Sequence, residues 1–143
     1  MRLGIFGATG RLGKAIGEVV LQDPFWTLTA AMGRSALGTD YGTLVGLAPL
    51  GLPVTQDPPE PLPDLFIDVS LPSQIEQKIS YGRPLVIGTT GLSPSDRQLL
   101  QEASRFLPIF CSANFSLGMA LLRKMAAELA QIFPQEAHID IIE

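Results

Sequence analysis

The 143-residue sequence predicts an α/β fold, a doubly wound and mostly parallel sheet with helices on both faces, followed by the start of a second domain. Three observations lead there. Short apolar runs alternate with segments of helical periodicity along nearly the whole chain. The first run passes into a turn with glycines three residues apart, at Gly7, Gly10 and Gly13. The runs close on glycine or on small hydroxyl- or amide-bearing residues, as expected where parallel strands end at a ligand-binding edge.

Residues 3–6 (LGIF) form an apolar run closed by glycine, the pattern of a strand buried on both faces. Leu12, Ala15, Ile16, Val19 and Val20 then recur at helical spacing and predict one buried helix face, which Pro24 terminates. Residues 26–32 read as a second strand, followed by a glycine-rich stretch over 33–51. The proline-rich segment 57–63 is stiff and is excluded from helix and from central strand. Beyond it come a strand at 64–70, a short helix at 72–82 and a strand at 84–91. Ser93 as N-cap, Pro94 at the first position and Asp96 at the third announce the next helix. A strand at 108–114 and the longest helix, 116–133, follow; residues 138–142 alternate polar and apolar like a half-buried strand. The expected organisation is a dinucleotide-binding domain over 1–114, then a linker helix and first strand of a second domain over 115–143.

Composition narrows the function classes. Hydrophobic residues make up 46% and charged residues 17%, which describes a globular chain. Ten basic against 14 acidic residues give a net charge of −4, which argues against a nucleic-acid surface. No apolar stretch reaches the roughly 18 residues a membrane span requires, and Arg2 followed by a glycine-broken motif is unlike a signal peptide. A single cysteine, Cys111, excludes an internal disulfide and suits a reducing cytoplasm. With one histidine, His138, and one cysteine, no ordinary zinc site is expected. Cys111 is expected to be a buried, inert thiol, Asp68 a hydrogen-bonded residue at the rim, and His138 a surface or linker residue.

The glycine turn carries the chemistry. A glycine at the strand end adopts backbone angles closed to other residues, and a second admits a diphosphate to the backbone. Amides at the helix start, with the helix dipole behind them, favour an anion there. A mere tight connection is the alternative, but a position between the first strand and an amphipathic helix favours a dinucleotide. NAD-binding chains of this kind carry an acid near the end of the second strand to hold the ribose 2′-hydroxyl. Here that region reads Met32-Gly33-Arg34-Ser35. Arg34 suits a 2′-phosphate, so NADPH is expected in preference to NADH; the alternative is an ordinary solvated arginine.

Three stretches, GATGRLG at 7–13, VIGTTGLS at 86–93 and SANFSLGMALL at 112–122, together resemble the 4-hydroxy-tetrahydrodipicolinate reductases (dihydrodipicolinate reductases) of lysine and diaminopimelate biosynthesis. The FIDVSLP run at 66–72 and HIDIIE at 138–143 fit in the same order. The resemblance implies an oxidoreductase that uses NAD(P)H to reduce a cyclic unsaturated dicarboxylate. It assigns the diphosphate to Gly7, Ala8, Thr9, Gly10, Arg11 and Leu12, and the adenine ribose to Arg34. Gly88, Thr89 and Thr90, and then Ser112, Ala113, Asn114 and Phe115, match two loops along the nicotinamide half. Gly33 stands where many members have an acid before the arginine, which disfavours strong NADH use.

The family's histidine pair, lysine and Gly-Thr substrate clamp follow the region matched here. No catalytic residue is therefore expected within the 143 residues, and the chain alone is expected to bind cofactor without turnover. The resemblance further implies a small-molecule substrate and a homo-oligomer in the full-length protein. A short-chain-type reductase fails on chemistry, since Tyr41 and Tyr81 are followed four residues on by Val45 and Leu85 instead of lysine. A non-catalytic nucleotide-sensing module stays open.

Overall fold

The computed structural model describes residues 1–132, in two compact units that divide after Ala113. The expected strand at 138–142 lies outside the described residues. In the first unit six strands run parallel: β1 (Arg2–Phe6), β2 (Thr27–Met32), β3 (Val54–Thr55), β4 (Leu65–Asp68), β5 (Leu85–Ile87) and β6 (Ile109–Cys111). Their order in the sheet is β3-β2-β1-β4-β5-β6, so successive strands step outward from β1 in one direction and then from β4 in the other. The direction reverses between β1 and β4, and a crevice opens at such a reversal.

Alternation along the strands feeds two cores. Leu3 and Ile5 point to one face with Leu28, Ala31, Tyr41 and Val54, while Phe6 points to the other with Met32, Phe66, Ile75, Leu85 and Leu100. Gly4 belongs to the second face, where a Cβ would stand 2.6 Å from the Phe66 ring.

Four helices belong to this unit: α1 (Arg11–Gln22), α2 (Tyr41–Leu44), α3 (Ile75–Ser80) and α4 (Pro94–Ala103). The expected elements are present, β1 one residue longer than expected and the others with shorter bounds. Neither α2 nor β3 was legible, because one sits in the glycine-rich stretch and the other is two residues long. Asp40 organises this region. Its carboxylate accepts from the amides of Thr43, Leu50 and Leu52, which hold it below the usual carboxylate range.

The buried face of α1 corrects the sequence expectation. Leu12 and Val19 are 55% and 68% exposed and Ala15 is exposed, whereas Gly13, Gly17 and Val20 are buried. The reason is close approach. A Cβ on Gly13 would collide with the Gly7 carbonyl, and one on Gly17 with the Tyr41 hydroxyl. Tyr41 is fully buried against this glycine face and donates to the Gly13 carbonyl at 2.9 Å. Burial, reinforced by Glu18, pushes its hydroxyl up to about 12. Stability is therefore expected to hold up to pH ~10, the unfolded-state value, and to fall between there and about 12 as the unfolded chain ionises first. Tyr41→Phe should shrink that alkaline limb to the part left by Tyr81, whose hydroxyl burial also raises, and urea titrations at stepped pH would reveal it.

The start of α4 is as the sequence predicts. Ser93 Oγ accepts from the Asp96 amide at 3.1 Å and Asp96 Oδ2 accepts from the Ser93 amide at 2.9 Å. Ser93 hydrogen bonds hold the Asp96 carboxyl below its ordinary value. Ser93→Ala is expected to cost about 1 kcal/mol, measured by chemical unfolding at neutral pH. The Asp96 contribution has the opposite pH sense to Tyr41: it is present above the unfolded carboxylate value and lost on acidification through the lowered folded value.

In the second unit α5 (Leu117–Ile132) carries no buried residue. Its start is capped by Ser116, whose Oγ accepts from the Met119 amide at 3.4 Å, and the Ser116 amide donates to Asn114 Oδ1 at 2.7 Å in the turn before it. No helix among the described residues is long and apolar enough to cross a membrane.

Candidate functional site

Pairing register places the strand ends on one line. Phe6 pairs with Met32 and Asp68, Met32 with Thr55, Asp68 with Ile87, and Ile87 with Cys111. The residues that follow (Gly7, Gly33, Gln56, Val69, Gly88 and Ser112) therefore lie along one edge of the sheet. A cleft of about 690 Å³ opens there, over the ends of β1, β2 and β4.

The glycine turn forms its centre. Gly7 has φ +82°, and a Cβ on it would stand 2.8 Å from the Val69 carbonyl. Both the Gly7 and Ala8 amides donate to the Met32 carbonyl, at 3.0 and 2.9 Å, and the Gly10 amide donates to the Gly7 carbonyl at 3.0 Å. This revises the expected division of labour. Gly7, Ala8 and Gly10 shape the turn with their amides already engaged, and the Ala8 methyl is buried in the core. The amides of Thr9, Arg11 and Leu12 donate no hydrogen bond among the described residues. Gly10 caps α1 without a side chain, so the first turn keeps its donors for a ligand.

Arg34 lines the cleft beside Gly33 and Ser35, and Lys78 lines its other wall. No carboxylate is among the lining residues, in a chain whose net charge is −4. The missing acid has a steric counterpart: a Cβ on Gly33 would stand 2.8 Å from Thr9 Cγ2. Thr9 is in turn held by its hydroxyl, 3.1 Å from Ser35 Oγ. An acidic side chain at position 33 would have to displace it.

Of the residues expected along the nicotinamide half, Gly88 and Ser112 are at the same edge through their pairing, although they do not line the cleft. Thr89 turns its side chain inward. It is 3% exposed and its hydroxyl donates to the Asp68 carbonyl at 3.4 Å, so it secures the loop, while Thr90 is exposed. Ala113 ends the first unit, and Asn114 and Phe115 belong to the second. Cys111 is exposed instead of buried; among the described residues β6 is the edge strand, paired with β5.

Sequence reading missed Lys78. Asp68 is fully buried at the end of β4, and the Lys78 ammonium on α3 lies 2.7 Å from its Oδ2. A lysine three residues after Ile75 and one before Ile79, on the apolar face of a short helix, was the available signal. Among the described residues no cluster of ligating side chains could hold a metal ion.

Residues 1–115 match the family model of the dihydrodipicolinate reductase N-terminus. The chain belongs to this family. Curated relatives named 4-hydroxy-tetrahydrodipicolinate reductase include those of Pseudomonas fluorescens strain Pf-5, 38% identical over 99% of this chain, and Rubrobacter xylanophilus, 33% identical over all of it. The chain spans 57% and 56% of their respective lengths. Among solved structures, aspartate semialdehyde dehydrogenase with NADP from Candida albicans superposes with a TM-score of 0.56. It is 16% identical, over 77% of this chain and 41% of that one, and shows a shared Rossmann-like fold.

Proposed function

We propose that this chain is the cofactor-binding portion of an enzyme that reduces 4-hydroxy-tetrahydrodipicolinate, and that it holds NADPH in preference to NADH. The observation that carries this reading is the cleft itself: amides at the start of α1 that donate no hydrogen bond among the described residues, Arg34 on one wall, and no carboxylate lining it. The residues fit a dinucleotide by chemistry as well as by shape. Thr9, Arg11 and Leu12 donate amides to the diphosphate, and Arg34 pairs with the 2′-phosphate. Gly88, Thr89, Thr90, Ser112 and Ala113 serve the nicotinamide half. A reduced nicotinamide bound there supplies hydride to the substrate.

The resemblance to the reductases assigns substrate binding and proton donation to residues that follow the region matched here, and the buried Asp68–Lys78 pair is already engaged with itself. A small dicarboxylate substrate, a cytoplasmic location and a homo-oligomeric whole protein complete the proposal.

Fluorescence or calorimetric titration of both cofactors into wild type and Arg34→Ala tests it. Charge-assisted hydrogen bonds worth about 1.5–3 kcal/mol predict that NADPH binds roughly 10- to 150-fold more tightly than NADH. Arg34→Ala should bring NADPH down to the NADH level. Equal wild-type affinities would overturn the preference.

A further inference from the structure

The cluster beneath the cleft does more than neutralise a buried charge. Lys78 is 5% exposed, and its Nζ donates to Asp68 Oδ2 at 2.7 Å and to Ser70 Oγ at 2.9 Å. Ser70 Oγ lies 2.6 Å from Asp68 Oδ1, which also accepts from the Ser70 amide at 3.0 Å. A serine hydroxyl has one proton and two lone pairs. That proton goes to the carboxylate oxygen, since the other acceptor within reach, the Leu71 carbonyl, is farther at 3.2 Å and uncharged. Lys78 donates to one lone pair. The second lone pair remains, and so does one of the three Lys78 protons.

Ser70 and Lys78 both line the cleft, so it offers an acceptor and a donor side by side. A phosphate oxygen, which only accepts, would meet the Ser70 lone pair unfavourably. An alcohol, which donates and accepts at once, satisfies both. Position says which alcohol. Arg34 follows β2 and Ser70 follows β4, with β1 and its glycine turn between them in the sheet. A diphosphate over that turn has the adenosine on the Arg34 side and the second ribose on the Ser70 side.

We propose that Ser70 and Lys78 hold a hydroxyl of the nicotinamide ribose, with Asp68 as the positioning residue that fixes the serine as an acceptor. This rests on the reading of the cleft as a pyridine-dinucleotide site. The test uses two probes, NADPH and 2′,5′-ADP, which has the adenosine half and its 2′-phosphate but no second ribose. Ser70→Ala keeps the Asp68–Lys78 pair. It should weaken NADPH binding about 5- to 10-fold and leave 2′,5′-ADP within about twofold, with Ser70→Thr restoring NADPH affinity. Arg34→Ala should weaken both probes. Unchanged NADPH binding by Ser70→Ala, or an equal loss of both probes, overturns the ribose assignment while the dinucleotide reading stands. A wild-type chain that binds neither probe overturns both.

Discussion

Gly13→Ala is expected to destabilise the protein by about 3 kcal/mol and to weaken NADPH binding at least tenfold. In an exposed helix interior the same change would be favourable by up to ~1 kcal/mol. Here the added methyl collides with the Gly7 carbonyl and stands 2.8 Å from Ala8 Cα. These are backbone atoms of the turn itself, so no side chain can rotate away. Relief requires the start of α1 to move off the end of β1, carrying the amides of Thr9, Arg11 and Leu12 with it. Stability and affinity should therefore fall together, as read by urea unfolding and cofactor titration. A variant as stable as wild type would show that the helix does not pack this closely on the strand.

Asp68→Ala is expected to cost about 3–5 kcal/mol, because it strands a buried ammonium. That is a large share of the roughly 5–15 kcal/mol that holds a typical domain together. Lys78→Met should cost a comparable amount by stranding the carboxylate. The double variant should be markedly more stable than the sum of the two losses predicts, since no unpaired charge is left behind. The loss has a structural route beyond the ion pair. Asp68 Oδ1 also accepts from the Ser70 amide at 3.0 Å and from the Ser70 hydroxyl at 2.6 Å, so truncation to alanine removes the anchor of the turn after β4 as well as the partner of α3. Urea denaturation of the two single variants and the double one decides this; strict additivity would contradict it.

Most of the fold was legible because its signals are local. The alternation of apolar runs with helical patterns gave every strand of four or more residues, and the capping residues Ser93 and Asp96 placed α4. What escaped depends on tertiary contacts. Glycines occupy the buried face of α1 because Tyr41 and the β1 turn approach too closely for side chains, and no hydrophobic periodicity expresses that. The two-residue β3 has too little sequence to show a period. The site divides the same way. Gly7, Thr9, Gly10 and Arg34 were visible as a motif and its partner, and the cleft gathers them. Thr89 turned inward because its hydroxyl has a backbone partner in Asp68, which spacing could not reveal. Lys78 reaches the cleft only through pairing with a residue ten positions earlier.

The central claim is that the edge formed by the ends of β1, β2 and β4 receives a pyridine dinucleotide. Backbone amide shift mapping of the labelled chain during titration with NADPH tests it most directly. The account predicts saturable perturbations concentrated at Thr9, Arg11, Leu12, Arg34, Ser70 and Gly88, with α4 silent. Perturbations clustered on α4 or at the opposite ends of the strands, or a spectrum unmoved by NADPH and NADH alike, would contradict it.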